Sequence, residues 1–220
     1  MAELNTIHYN ITDGIATLTF DEPGSPVNTM GMPWQRDMAE AAQKLVADRP
    51  KLRGVILASA KTSFFAGAEL NGVLKLQASD APQAFRNIEA LKRAIRTIET
   101  FGVPVVALLN GAALGGGWEV ALVAHARFAI DDPRIRFGTP EVTLGLIPGA
   151  TGITKTVRLL GLMAAQPYLL EGKLFGPREA MELGLVTGVA RDRDELRAMA
   201  LAWIEANTGA MQPWDHKDHK

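Results

Sequence analysis

Two short runs of alternating apolar and polar residues open the pattern. Residues 7–12 (IHYNIT) and 15–20 (IATLTF) flank Asp13–Gly14, a dipeptide suited to a type I′ turn, and together they predict a β-hairpin. Past the loop DEPGSPVNTMGM, Pro33 starts a helical rhythm to about Asp48, with Met38, Ala42, Leu45 and Val46 on one side. GVILAS (54–59) and PVVALLN (104–110) are nearly all apolar, as in strands buried on both faces. Between them, Phe85, Ile88, Leu91, Ile95 and Ile98 recur at helical spacing over 82–101, and Gly102 is placed to end that helix. WEVALVAHA predicts a helix, RFAI and RIRF short strands, 151–171 and 177–183 helices, LVTGVA a last strand, and 192–207 an amphipathic helix.

Strands alternating with helices argue an α/β class with a largely parallel sheet. The two buried strands each lead into a glycine-bearing loop, which hints at a repeated supersecondary unit. Ligands of such sheets usually sit at the carboxyl ends of the strands. The last residues, GAMQPWDHKDHK, turn polar and aperiodic and read as a tail or the start of a connection.

Composition narrows the function. A net charge of −1 disfavours a nucleic-acid binder that works by bulk electrostatics. Cysteine is absent, which removes disulfides, thiolate metal sites and thiol nucleophiles together. No signal-peptide pattern and no long apolar run is present, so the expectation is a cytoplasmic protein without a membrane span. His8, His125, His216 and His219 form no ligand set, and no metal is expected.

The densest chemical signal is NGAALGGGWE (110–119), a glycine run between a strand and a helix. It is not a P-loop, because Trp118 and Glu119 stand where Lys and Ser/Thr belong. It fails the dinucleotide fingerprint, and no serine has the neighbours of a nucleophile elbow. What remains is backbone N–H groups at a helix start, suited to an oxyanion, with FFAGAEL (64–70) as a second loop of the same character. Glycines also occur where a helix packs tightly on a strand, and an acid in a first helical turn is often only a dipole complement. A second glutamate, Glu141, follows Thr139–Pro140 at another helix entry. Two such carboxylates, Glu119 and Glu141, match the needs of paired acid/base chemistry.

The stretches FFAGAEL, NGAALGGGWEVALVAHARFAI and FGTPEVTLGLIPGATG resemble the crotonase (enoyl-CoA hydratase/isomerase) superfamily in order and spacing. PVNTM and TPEVTLGLIPGATGITKTVRLLGL are most similar to the N-terminal hydratase part of multifunctional fatty-acid β-oxidation α-subunits. The resemblance implies a crotonase-like spiral of repeated ββα units with surrounding helices over residues 1–207, followed by a polar tail or linker start over 208–220. It implies hydration of trans-2-enoyl-CoA thioesters, with Glu119 and Glu141 as catalytic residues and the amides of Ala68 and Gly116 as the oxyanion hole. Ala66, Gly67, Ala68 and Lys61 would contact the coenzyme A portion, which enters as substrate; no separate cofactor is implied. Partners implied are an acyl-CoA and either further copies of the chain, as a trimer or hexamer, or a larger β-oxidation complex. The alternatives are a Δ3–Δ2 enoyl-CoA isomerase or another crotonase-type acyl-CoA enzyme, and, outside enzymes, an acyl-CoA-binding or assembly module without turnover.

Overall fold

The computed structural model describes residues 4–217, and of Leu70 and Asn71 the backbone alone. In chain order the strands and helices are β1 (Ile7–Thr12), β2 (Ile15–Phe20), α1 (Met32–Asp48), β3 (Gly54–Ser59), α2 (Leu70–Leu74), α3 (Ala81–Thr100), β4 (Val105–Leu109), β5 (Ala113–Leu114) and α4 (Gly116–Ala121). Then follow β6 (Ala126–Ile130), β7 (Phe137–Gly138), α5 (Gly152–Leu160), α6 (Leu162–Leu170), α7 (Pro177–Glu182), β8 (Gly188–Ala190) and α8 (Arg193–Ala206).

Six strands form the main sheet in the order β1-β2-β3-β4-β6-β8. Only β1–β2 is antiparallel; every other pairing is parallel. The hairpin turn is of the expected kind, since Asp13 and Gly14 both have positive φ, 51° and 76°. Alternation along the buried strands sends side chains to two cores. Val55, Leu57, Val105 and Ala107 join α1, α3 and α4 on one face, whereas Ile56, Val106 and Phe128 meet Leu196, Ala200 and Ile204 of α8 on the other. Asp192 caps α8 by accepting the Glu195 N–H at 2.9 Å, which explains the clean start of that helix.

The last strand is shorter than LVTGVA, beginning only at Gly188, and four further elements differ from the sequence expectation, each for a physical reason. The WEVALVAHA helix runs only over 116–121; Trp118 through Ala124 are all buried, so no polar stripe marks where the helix yields to β6. Of RIRF, only Phe137 enters a strand, because Arg134 is turned aside by a double contact with Asp132. The 151–171 helix is two helices, broken at Gly161, whose φ of 81° no continuous helix accepts. Residues 140–144 form a 3₁₀ turn, and Thr139 does not cap it; its hydroxyl faces the Tyr168 carbonyl at 3.4 Å.

Candidate active site

Three segments run side by side and deliver the predicted residues to one place. Phe65 bridges Ala113 in parallel, and β5 pairs in parallel with β7. The Leu114 N–H donates to the Phe65 carbonyl at 3.1 Å, and the Gly115 N–H donates to the Gly138 carbonyl at 2.8 Å. Ala68, Gly116 and Glu141 each follow within three residues of one of these segments, so a single set of backbone hydrogen bonds fixes their relative positions.

The first loop is anchored by a residue that the motif reading did not single out. Asn28 is buried, and its amide donates to Ser59 Oγ at 2.9 Å and to the Phe64 carbonyl at 3.2 Å. Its own carbonyl accepts the Ala66 N–H at 2.9 Å, and the Met30 N–H donates to the Gly67 carbonyl at 2.8 Å. The signal was PVNTM, an asparagine beside a loop of small residues. With these bonds in place, no hydrogen bond among the described residues uses the N–H of Ala68 or of Gly116. Two free donors at the edges of packed loops are what an oxyanion site requires.

The glycine run has two causes, and one is packing. A side chain at Gly117 would meet the Phe65 backbone and stand 2.7 Å from Phe65 Cβ, so α4 lies directly on the first loop. Gly115 has φ of 52°, and a Cβ there would come within 2.7 Å of Glu141 Oε1. The chain itself therefore occupies much of the space the glycines leave. Gly116 faces Met30, whose methyl group a Cβ would approach to 2.8 Å.

The two carboxylates sit in unlike surroundings. Glu119 is 2% exposed, and its Oε1 accepts three amide N–H groups: Ala150 at 2.9 Å, Thr151 at 2.7 Å and Gly152 at 2.6 Å. These amides open α5, so the positive end of that helix faces the carboxylate. Burial pushes the Glu119 pKa up, and the three amide donors pull against it. Glu141 has only its own backbone N–H as an opposing donor, and its buried Oε2 takes no hydrogen bond among the described residues. Burial, with the Glu119 charge adding to it, pushes Glu141 up to about 7.

That shift has a consequence for stability. A carboxyl with a raised pKa binds its proton more tightly in the folded chain, so stability falls as pH rises from 4.5 to about 7. Replacing Glu141 with Gln removes that contribution. Urea unfolding is expected to show the variant gaining on the wild-type protein across this interval, with no gain below it.

A cavity of about 420 Å³ opens beside Ala68, walled by Met30, Met32, Val73, Leu76, Ala84 and Ile88 among others. Ala66 is exposed and Gly67 buried. Lys61 is already engaged: its ammonium pairs with Asp21 at 2.6 Å and donates to the Glu22 carbonyl at 2.8 Å. Trp118 is packing, stacked on Phe137 with centroids 5.3 Å apart. His8 lies against Asp21, and His125 is used in the framework, accepting from the Val105 N–H and facing the Glu99 carbonyl. His219 lies outside the described residues. Among the described residues, no group of three or more candidate ligands is placed to hold a metal ion. No helix there is long and apolar enough to cross a membrane.

Comparison with known proteins bears on this arrangement. The family described as Enoyl-CoA hydratase/isomerase matches residues 10–212. The chain belongs to that family. Among curated proteins, the fatty acid oxidation complex subunit alpha of Shewanella putrefaciens is 38% identical over 193 residues, covering 82% of this chain and 26% of the relative. The same subunit of Shewanella oneidensis is 38% identical over 189 residues, with the same coverage. This chain thus spans about a quarter of the length of the curated relatives it matches. Among solved structures, enoyl-CoA hydratases from Bacillus anthracis and Bacillus halodurans superpose with TM-scores of 0.80 and 0.82, each at 26% identity. Both cover 91% of this chain, which covers 76% and 79% of them. The α/β architecture of this family member is therefore the crotonase fold.

Proposed function

We propose that this crotonase-family protein hydrates trans-2-enoyl-CoA thioesters, and that it does so in fatty-acid β-oxidation. The observation that carries the reading is the pair of unlike carboxylates beside two unused backbone donors. Adding hydroxide at C3 of an enoyl thioester moves electron density onto the thioester oxygen. The N–H groups of Ala68 and Gly116 would bind that oxygen more strongly as it becomes anionic, each lowering the barrier by about 3 kcal/mol. Glu119, whose carboxylate the three amides stabilise against the upward pull of its burial, accepts a proton from the attacking water. Glu141, held towards the neutral form by burial, delivers a proton to C2. Because both carboxyls serve one water, their protons titrate as a pair.

The apolar cavity beside Ala68 would take the acyl chain, and the exposed Ala66 would meet the pantetheine arm. The Shewanella relatives are named for a fatty acid oxidation complex, which supports the pathway assignment. Isomerisation of a 3-enoyl thioester is the second reading, since Glu141 is a carboxyl with a raised pKa and an unpartnered Oε2, able to take up and return a proton.

Incubation with crotonyl-CoA, followed by loss of conjugated-thioester absorbance and product analysis, tests this. The expected product is the 3-hydroxyacyl thioester. Conversion of a 3-enoyl thioester without hydration of crotonyl-CoA would establish the isomerase reading instead. Calorimetric binding of acyl-CoA with neither reaction would favour a binding module.

A further inference from the structure

Behind Glu119 lies a polar cluster that the proposed chemistry does not use, where α3, α4 and α5 meet the segment read from sequence as a tail. Gln212 is 2% exposed, and its amide nitrogen faces three carbonyls: Leu122 at 3.4 Å, Val123 at 3.2 Å and Ala124 at 3.2 Å. These carbonyls close the turn that ends α4, where the negative end of a helix collects. Lys155 of α5 donates to the same Leu122 carbonyl at 3.1 Å and pairs with buried Glu99 of α3. The Trp214 ring lies under two α5 cations, 5.6 Å from Lys155 Nζ and 5.3 Å from the Arg158 guanidinium. Asp215 pairs with Arg96 of α3, which also reaches Glu99.

Three residues of one four-residue segment thus grip three helices. One is α4, which carries Glu119; another is α5, whose first turn supplies the three amides on Glu119 Oε1. A six-residue helix such as α4 is too short to hold its own geometry and depends on its packing. The spacing between α4 and α5 sets the three amide distances, and the 212–215 segment spans that spacing.

We propose that residues 212–215 are a strap that positions Glu119, Gln212 fixing the end of α4 while Trp214 and Asp215 fix α5 and α3. The strap rests on the reading of Glu119 as the proton acceptor. Gln212, Trp214 and Asp215 are positioning residues, not catalytic ones.

The test compares Gln212→Glu, which sets a carboxylate against the three carbonyls, with Trp214→Ala and Trp214→Phe. Each is assayed with crotonyl-CoA well below its unfolding temperature, and hydrogen exchange is followed at the amides of residues 150–152. Gln212→Glu and Trp214→Ala are expected to lose on the order of tenfold in kcat with KM little changed, as small misplacements do. Trp214→Phe keeps the ring and is expected to retain most of the rate, and exchange at 150–152 quickens in the two impaired variants. Unchanged kcat, a rise in KM alone, or Trp214→Phe no better than Trp214→Ala would overturn the strap. If the wild-type protein does not hydrate crotonyl-CoA, the hydratase reading falls. The exchange measurement then decides the strap, and unaltered exchange overturns it.

Discussion

Replacing Glu119 with Gln is expected to lower kcat for crotonyl-CoA hydration by about 10²–10⁴-fold, the span of a lost general base. The expected loss follows from how Glu119 is held. Three amide N–H groups point at Oε1, so a glutamine must turn its own oxygen to them. Its NH₂ then occupies the place of the oxygen that would receive the proton from water. A donor stands where an acceptor is required, with the volume almost unchanged. Glu141→Gln is expected to fall by a similar factor for the opposite reason, because an amide resembles the protonated acid but cannot release the proton. KM should change little in both, since neither side chain lines the cavity beside Ala68. Steady-state kinetics with urea unfolding as a folding control checks both. Retention of wild-type rate in either variant contradicts its assigned role.

Gly117→Ala is expected to be among the most damaging single-methyl changes in the chain. The added Cβ meets the Phe65 carbonyl and lies 2.7 Å from Phe65 Cβ, and backbone atoms cannot rotate away as a flexible side chain can. Overpacking of this kind typically costs about 1–3 kcal/mol. Relief requires α4 and the 64–68 loop to separate, and these two elements carry the unused N–H groups of Gly116 and Ala68. Activity should therefore fall further than stability alone explains. Urea unfolding with crotonyl-CoA kinetics on the same preparation separates the two effects. A variant of wild-type stability would show that the packing of α4 on the loop is softer than described.

The strand and helix order was legible because burial on two faces, alternation and 3.6-residue periods each leave their own trace. The two candidate glutamates stood out through residue identity at loop ends after glycine-rich stretches. Other features left weaker traces. That the glycines of 111–117 accommodate the chain's own Phe65 and Glu141 depends on parallel pairing between segments far apart in sequence. The difference between the two carboxyls is also nonlocal, since the amides on Glu119 come from residues 150–152. Gln212 and Trp214 were hidden because a polar, aperiodic segment reads as solvated, whereas here each side chain finds a specific buried or cationic partner. A tryptophan within such a segment was the available clue.

At the centre of the account is a single water shared by Glu119 and Glu141. The most direct measurement is hydration of crotonyl-CoA by Glu119→Gln, Glu141→Gln and the double variant. Groups that act as a unit lose little more together than either loses alone. The double variant is therefore predicted to be no slower than the more impaired single variant, within about a factor of ten. Losses that multiply, or a single variant that hydrates at the wild-type rate, would contradict it.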